Sequence, residues 1–465
     1  MRGHASRLTI IGAAPYFRDA VSLPRWNFGA IFSSYELNIP LRPFPFFMRL
    51  LDQYRAVRAQ TNALADPLSA EDQLVQSMPD ASPTKWHLAH TSWFFETFVL
   101  SADATAGYRS PDPRYRMLFN SYYDAIGERF ERARRGTLSR PSLAEVRAYR
   151  RQVDDAVMRL LEEGNASPTA LTTIELGLHH EQQHQELLLT DIKHALGSNP
   201  LQPAYGALSE SVAARGPEGD AEHRPTTFRT FTGGVVWIGH EGSGFAFDNE
   251  GPRHQAFLRS FALADRLVTC GEYLGFMSDG GYRRPELWLS DGWQLCQREQ
   301  WQAPLYWRSR QGGDGEREWA SYTLAGLRPV DPLEPVVHVS YFEADAFARW
   351  AEARLPTEEE WERVAEEEPL LGNFVESGRY HPAARGGGFF GDAWIWTQSP
   401  YVAYPGYRAP AGAIGEYNGK FMCNQMVLRG GSCLTPASHM RPSYRNFFPP
   451  AARWQASGIR LARDA

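Results

Sequence analysis

The sequence has few cysteines and lacks long apolar runs, and these two features exclude several classes of protein. Its 465 residues include four cysteines, Cys270, Cys296, Cys423 and Cys433, and no two of them form a CxxC pair. A disulfide scaffold and a cysteine-rich metal site are therefore not expected. A transmembrane helix needs about 18 or more consecutive apolar residues. Because the sequence contains no such run, we expect no membrane partner.

Blocks of basic residues are also absent. The chain carries 48 basic and 54 acidic residues, a formal net charge of −6, so the charge pattern does not favour binding to nucleic acid. The apolar stretch from Leu8 to Ala14 is too short and too poorly flanked for a signal peptide. The sequence thus predicts a soluble, cytoplasmic protein, and it leaves the oligomeric state open.

Composition divides the chain into four segments. Residues 1–46 mix prolines with scattered aromatics without sustained periodicity, which predicts a poorly ordered extension. Residues 47–198 show helical periodicity, and residues 199–225 have the Pro-, Gly-, Ala- and Glu-rich composition of an exposed linker. Residues 226–465 change to short apolar runs between turns. We therefore predict two folded domains joined by a linker.

The first domain is predicted to be a helical bundle. Apolar residues from Met48 to Leu64 form an amphipathic stripe, and longer helical patterns follow over residues 85–102, 142–163 and 169–196. Four long helices of this kind are typical of a four-helix bundle. Residues 103–140 are predicted to form a crossover loop with one short helix.

The second domain is predicted to be rich in loops. The chain has 40 glycines and 14 tryptophans, and short apolar runs such as Val235–Ile238 alternate with turn residues. Only two helical patches stand out, at residues 269–277 and 341–353. This pattern favours an irregular α+β domain over a sandwich of regular strands.

The sharpest local motif is His180-Glu181-Gln182-Gln183-His184. On a helix, residues four apart lie one above the other, so both imidazoles leave the same face, as two metal ligands must. Burying two imidazoles in a bundle without partners is costly, which favours a metal site. The motif is also that of zinc metalloproteases, in which Glu181 would be the general base. Thr190, however, stands where a third histidine of the extended protease motif would fall.

A third ligand is available on the second helix, in Trp86-His87-Leu88-Ala89-His90. His90 opens an aromatic run that continues to Phe95, whereas His87 lies nearer the start of the helix. A three-histidine site with open coordination positions fits either Fe(II) oxygen chemistry or a zinc-bound water. The residues alone therefore predict a metal site in a helical bundle.

Longer motifs resemble a known family. The bundle, with its histidines at 90, 180 and 184, resembles a DinB-type metal-binding domain. The remainder resembles the formylglycine-generating-enzyme (sulfatase-modifying factor) fold, which is related to C-type lectins. The motifs that carry this second resemblance are Gly233-Gly234, Asp248–Glu250, Arg354–Glu358, Trp394–Thr397, Arg429–Ser432 and Gly458–Leu461. Together the two domains resemble the ergothioneine-biosynthesis sulfoxide synthases, or hercynine oxygenases, from about residue 47 to the C-terminus.

This resemblance implies a reaction and a ligand set. The family joins hercynine (N,N,N-trimethylhistidine) to cysteine or γ-glutamylcysteine, with O2 as oxidant and Fe(II) as cofactor. The implied iron ligands are His90, His180 and His184. His87 falls one turn before the family's ligand and is expected to be structural, whereas Gln183 matches a glutamine that contacts the substrate imidazole.

Proton delivery and substrate binding need further groups. Tyr122-Tyr123 resembles the tyrosine pair of the branch that accepts free cysteine, and Tyr123, or failing that Tyr122, is the expected proton donor. A quaternary ammonium is usually held by aromatic faces, and a carboxylate by guanidinium or amide groups. The candidates for these two tasks are Trp394, Trp396, Phe447 and Phe448 for the cation, and Arg114, Arg116, Asn120, Arg441, Arg445 and Asn446 for the carboxylates.

Three other hypotheses stay open at this point. Formylglycine-generating chemistry would need a copper-binding cysteine pair, for which Cys423 and Cys433 are the closest candidates. A lectin-like binding module fused to a zinc-binding bundle would have no catalytic activity. An ovothiol-type synthase would act on histidine instead of hercynine.

Overall fold

A computed structural model describes residues 44–103, 107–206, 225–311, 317–384 and 388–465. Nearly all of the predicted N-terminal extension (residues 1–43) and most of the predicted linker (207–224) lie outside these residues. Phe44–Ala465 form one compact unit. None of the helices in the described ranges has the length and apolar character that a membrane crossing requires.

Four long helices build the first domain. They are α1 (Phe44–Ala65), α2 (Thr84–Phe95), α4 (Leu143–Glu162) and α5 (Pro168–Ser198), and α3 (Tyr115–Leu118) is the short helix of the crossover loop. The first helix thus begins three residues before the predicted bundle boundary. Ser142 starts α4 with a capping box to Glu145, and Ser167 with Pro168 starts α5.

Helix α2, which carries His90, lies in the interior of the first domain. Every residue from Thr84 to Phe95 is buried, because α1, α4 and α5 all pack against α2. The helix then continues as a π-helical turn from Glu96 to Leu100. Such turns are frequent near functional sites because they shift the register of the side chains.

The second domain consists of short strands and four helices in the described ranges. The helices are α6 (Cys270–Ser278), α7 (Ser290–Arg298), α8 (Tyr341–Trp350) and α9 (Glu358–Ala365). The expectation of only two helical patches was therefore wrong, since α7 and α9 are additional. Both are short, with nine and eight residues, which gives little room for a periodic pattern to repeat.

The strands form small, mostly antiparallel sheets. One sheet has the order β1-β4-β14, with β1 at Phe228–Phe231, β4 at Phe261–Ala264 and β14 at Ala462–Asp464. The larger sheet has the order β12-β11-β10-β13, with β10 at Trp394–Pro400, β11 at Met426–Arg429, β12 at Asn446–Phe448 and β13 at Ser457–Gly458. The remaining strands pair as β2 (Gly234–Ile238) with β3 (His254–Leu258), β5 (Trp307–Gln311) with β6 (Arg317–Thr323) and β7 (Gly326–Pro329), and β8 (Gly372–Asn373) with β9 (Phe390–Gly391).

One face of α5 joins the two domains. Gln182 Nε2 donates to Ser438 Oγ over 2.7 Å, and Glu186 accepts from Trp394 Nε1 over 2.7 Å. Further along the same face, Lys193 Nζ lies 2.7 Å from Nε2 of His338. The helix that carries two of the histidines is thus anchored to the second domain along its length.

Candidate metal centre and substrate cavity

Three histidines from two helices meet inside the molecule. His90 comes from α2, and His180 and His184, one helical turn apart, come from α5. Their candidate ligand nitrogens all lie within 4.8 Å of one another, and the three side chains are buried. Nε2 of His90 is 3.2 Å from Nε2 of His180. The structure therefore brings together the three residues that the sequence singles out.

The donor set fits a divalent metal ion. Nδ1–H of His90 donates to the carbonyl oxygen of Phe119 over 2.6 Å, which leaves a lone pair on Nε2. Metal–nitrogen bonds of about 2.1 Å place neighbouring ligand nitrogens about 3.0–3.4 Å apart. The 3.2 Å between His90 and His180 falls within this range. A metal ion bound between the two nitrogens would accept both lone pairs at this distance.

Burial keeps these histidines neutral. It lowers the pKa of His180 to about 3, and it lowers the pKa of His90 and of His184 well below the ordinary value, with neighbouring His180 adding to the effect. A neutral imidazole is the form that binds a metal. The site therefore presents three neutral nitrogen donors at physiological pH.

His87 lies beside the cluster but is not one of its ligands. Its Nδ1 is 2.8 Å from Nδ1 of His184, and its Nε2 is 3.1 Å from Oδ2 of Asp191. Both ring nitrogens are thus engaged away from the metal position.

Glu181 cannot be the general base of a protease. Its carboxylate accepts from Arg58 Nη1 over 2.7 Å, from Arg150 Nη2 over 2.5 Å and from Thr61 Oγ1 over 2.6 Å, all inside the bundle. Although burial alone would raise it, the two guanidinium groups lower the pKa of Glu181 to about 2. The residue holds α1, α4 and α5 together, and the zinc-protease hypothesis loses its catalytic group.

A cavity of about 290 Å³ adjoins the cluster. His180 and His184 form part of its wall, and both domains contribute the rest. The lining residues that matter for chemistry are Asp80, Ser121, Tyr122, Arg132, Gln183, Tyr417, Tyr444, Asn446, Phe447, Phe448 and Trp454. Among the lining residues, Asp80, Arg132 and Pro449 are exposed, so they mark the open end.

Gln183 is held in a fixed orientation at the cavity wall. Its Nε2 donates to the hydroxyl of Tyr444 over 2.8 Å, and the hydroxyl of Tyr417 donates to its Oε1. The Tyr417 ring is also 5.7 Å from the ring of His180. The predicted imidazole-contacting residue is therefore positioned by two tyrosines of the second domain.

The two consecutive tyrosines have different environments. Tyr122 lines the cavity, whereas Tyr123 does not. Tyr123 is fully buried behind Tyr122, with ring centroids 4.6 Å apart, and its hydroxyl has no hydrogen-bond partner among the described residues. The sequence motif favours Tyr123, but the structure places only Tyr122 at the cavity wall.

Several predicted substrate-binding residues have other tasks. Arg114 forms a bidentate ion pair with Asp112 at the surface, and Arg116 donates to the carbonyl of Ile126. The amide of Asn120 is used by the backbone of Tyr123. Their polar groups thus have local partners, and none of the three residues lines the cavity.

The remaining two arginines are also occupied. Arg441 pairs with Glu250, and the guanidinium of Arg445 is bound by Glu358 over 2.9 Å at both carboxylate oxygens. Arg445 lines the cavity, but its charge is neutralised. Neither is therefore available for a substrate carboxylate.

The predicted aromatic residues separate into two groups. Phe447 and Phe448 line the cavity together with Asn446. Trp396 is fully buried and donates to the carbonyl of Val339, and Trp394 is buried behind Tyr444, where it binds Glu186. The two tryptophans are thus packed in the core and do not line the cavity.

Six of these chemically relevant cavity residues were missed by sequence reasoning: Asp80, Ser121, Arg132, Tyr417, Tyr444 and Trp454. Asp80 lies on a loop of the first domain and Arg132 begins a short 3-10 helix, Arg132–Thr137; no ion pair among the described residues engages either. Trp454 packs edge-on against Phe448 with ring centroids 5.8 Å apart. In the sequence, Asp80 and Arg132 are an acidic and a basic residue near the helices that carry the histidines, and this pattern is too common to identify them as cavity residues.

The cysteines do not support formylglycine-generating chemistry. All four are free thiols, and Cys423 is exposed whereas Cys433 is buried. A copper site of that kind needs two thiolates that face each other, which this pair does not offer.

Comparison with known proteins identifies both parts of the fold. Residues 53–188 match the DinB superfamily, and residues 216–385 and 377–465 match the Sulfatase-modifying factor enzyme 1-like domain. The predicted fold class, a DinB-like bundle followed by a formylglycine-generating-enzyme-like domain, is confirmed.

Similar proteins share this architecture over nearly the whole chain. "Hercynine oxygenase" of Mycobacterium tuberculosis is 32% identical over 441 residues, covering 88% of this chain and 96% of that protein. "Hercynine oxygenase" of Mycolicibacterium thermoresistibile is 30% identical over 454 residues, covering 90% of this chain and 96% of that protein. "Ergothioneine biosynthesis protein 1" of Schizosaccharomyces pombe is 28% identical over 240 residues, which are 47% of this chain and 28% of that protein.

Proposed function

The chain belongs to the hercynine oxygenase family, and from this we propose that it joins hercynine to cysteine with Fe(II) and O2. The balanced reaction is hercynine plus cysteine plus O2 to hercynylcysteine sulfoxide plus water. One C–H and one S–H bond break, a C–S and an S–O bond form, and O2 accepts four electrons. The chain is thus an oxidoreductase of ergothioneine biosynthesis whose substrates are small molecules.

His90, His180 and His184 would hold the iron. Three neutral donors leave three coordination positions of an octahedral ion for substrates and oxygen. When bound, Fe(II) would supply the activation of O2 for C–S bond formation and sulfur oxidation. The three imidazoles are themselves buried, and the cavity beside them opens at Asp80, Arg132 and Pro449.

The cavity wall supports hercynine as the imidazole substrate. The fixed amide of Gln183 can hydrogen-bond an imidazole nitrogen close to His180 and His184. A trimethylammonium group cannot donate a hydrogen bond, and aromatic faces bind such cations by about 0.5–2 kcal/mol each. Phe447, Phe448 and Trp454 supply these faces along the same cavity. This wall favours hercynine over unmethylated histidine, and hence over an ovothiol-type activity.

The open end of the cavity supports an α-amino acid as the sulfur donor. Arg132 can bind a carboxylate and Asp80 an ammonium, and both line this end. Free cysteine carries both groups. In γ-glutamylcysteine the cysteine nitrogen is an uncharged amide, so it would leave Asp80 without its partner.

The observation that carries the proposal is that three neutral histidines converge beside a cavity with an aromatic side, and that two of them, His180 and His184, form part of its wall. The test is anaerobic incubation with Fe(II), hercynine and cysteine, followed by addition of O2 and mass analysis. We expect an O2-dependent hercynylcysteine sulfoxide, and much less product when histidine replaces hercynine. Absence of any C–S product with either imidazole substrate would contradict the proposal.

Thiol preference gives a further prediction. With equal concentrations of cysteine and γ-glutamylcysteine, we expect the cysteine product to dominate. Replacing Arg132 by Gln should raise the KM for cysteine by about 10- to 100-fold, the loss of about 1.5–3 kcal/mol expected for a charge-assisted hydrogen bond. Asp80→Asn should reduce the preference for cysteine over γ-glutamylcysteine.

The matched control is Arg114→Gln, which removes an arginine from the same loop but outside the cavity. It should keep the wild-type KM. If the unmodified protein forms mainly the γ-glutamylcysteine product, the assignment of free cysteine as the sulfur donor is wrong.

A further inference from the structure

A chain of hydrogen bonds runs from the carboxylate of Asp191 through His87 to His184 of the three-histidine cluster. We propose that Asp191 and His87 are positioning residues that hold His184 in the tautomer whose Nε2 lone pair faces the metal. This inference rests on the proposed metal site. It assigns a task to two buried groups that neither coordinate the metal nor line the substrate cavity.

The direction of these bonds follows from the chemistry of the carboxylate. Oδ2 of Asp191 can only accept, so Nε2–H of His87 donates to it over 3.1 Å. In the tautomer that carries its hydrogen on Nε2, His87 has its lone pair on Nδ1, which accepts from Nδ1–H of His184 over 2.8 Å. His184 therefore has no hydrogen on Nε2. The reverse tautomer would place a hydrogen on Nε2 and block coordination.

This chain of hydrogen bonds is anchored at its far end and spans two helices. Oδ2 of Asp191 also accepts from the backbone N–H of Ser82 over 2.8 Å, which fixes the carboxylate. Asp191 lies seven residues after His184, on the same face of α5, whereas His87 comes from α2. The two helices that supply the ligands are thus joined directly behind one of them.

The three ligands differ in this respect. Nδ1 of His90 donates to a neutral carbonyl oxygen, and Nδ1 of His180 has no partner among the described residues. Within the described ranges, His184 is the only one of the three histidines whose Nδ1 is connected to a carboxylate through a chain of hydrogen bonds. A carboxylate behind a ligating imidazole fixes its orientation and increases its basicity. We therefore expect metal binding by His184 to depend more on its hydrogen bond to His87 than on the packing around its ring.

The test measures metal affinity, with Co(II) and anaerobic Fe(II) as probes and a competing chelator. His87→Leu introduces an apolar side chain of similar size and removes both hydrogen bonds. It should weaken binding of both metals by about 10- to 100-fold. His87→Gln can accept with Oε1 and donate with Nε2, so it should stay within about threefold of wild type. Asp191→Asn, which keeps the shape and removes the charge, should weaken binding by up to about tenfold.

His194→Leu is the matched control, because it removes a histidine of α5 that binds Ser77 away from the cluster. It should keep wild-type affinity, and all variants should keep the melting temperature of the metal-free protein within a few degrees. Wild-type affinity in His87→Leu would overturn the inference, as would an equal loss in His87→Gln. If the unmodified protein binds neither metal, the proposed metal site fails and takes this inference with it.

Discussion

Replacing His184 by Ala should lower the affinity for Fe(II) by about 100- to 1,000-fold and abolish product formation. Structural sites with four ligands bind Zn²⁺ with about 10–16 kcal/mol, which corresponds to about 2.5–4 kcal/mol per ligand. Each 1.4 kcal/mol is a factor of ten in affinity. A site with only three protein ligands cannot compensate for the loss of one of them.

The measurement is metal content after anaerobic loading and desalting, together with the melting temperature of the metal-free protein. The fold should persist, because the bundle core and the Glu181 ion cluster do not involve His184. His179→Ala is the matched control. His179 precedes His180 on α5, but its ring stacks on Phe245 at 3.8 Å and takes no part in the cluster. Full iron occupancy in His184→Ala would show that the ligand assignment is wrong.

The metal site could be predicted from sequence because its geometry is local. The spacing of His180 and His184 sets their common direction on any α-helix. The burial of that helix face follows from the apolar neighbours, and His90 lies on a helix that is rich in apolar residues and buried along its whole length. These features depend on the regular repeat of a helix and on little else.

The substrate cavity could not be predicted in the same way, because loops form most of it. Glu416 accepts from the backbone N–H groups of Asp124 and Ala125, which holds the loop that carries Tyr417 against the first domain. Partners 291 and 292 residues apart in sequence have no periodic signal. For the same reason the sequence could not show that Arg441 and Arg445 are neutralised by Glu250 and Glu358.

One missed element did have a sequence signal. Helix α9 begins at Thr357 with a capping box to Glu360, a pattern of Thr followed three residues later by Glu that marks helix starts. The loop-rich composition of the domain concealed it. Short helices in such domains are better found from their caps than from their periodicity.

Replacing Tyr122 by Phe should redirect the reaction from sulfoxide to cysteine sulfinic acid. Without C–S bond formation, cysteine plus O2 gives the sulfinic acid by oxidation at sulfur alone. A proton supplied at the right moment favours C–S bond formation. Tyr122 lines the cavity, and burial raises its pKa above the ordinary value of about 10. Its phenol oxygen therefore holds its proton at neutral pH.

The expected size of the effect follows from general acid catalysis. A positioned acid contributes about 10²- to 10⁴-fold in rate, which is about 3–5 kcal/mol. Two competing branches that differ by less than this can exchange their order when the acid is removed. We expect Tyr122→Phe to keep its iron and its KM for both substrates, while sulfinic acid becomes the main product. The measurement is the ratio of the two products by mass analysis.

Variants of two neighbouring tyrosines distinguish a loss of proton donation from a loss of substrate positioning. Tyr123→Phe removes a hydroxyl that lies behind Tyr122 and outside the cavity wall, so the product ratio should stay near wild type. Tyr417→Phe removes the hydrogen bond to Gln183 and should raise the KM for hercynine instead of changing the ratio. If Tyr123→Phe shifts the products and Tyr122→Phe does not, the donor is the buried tyrosine that the sequence motif favours. If both retain the wild-type ratio, the proton comes from neither member of the pair.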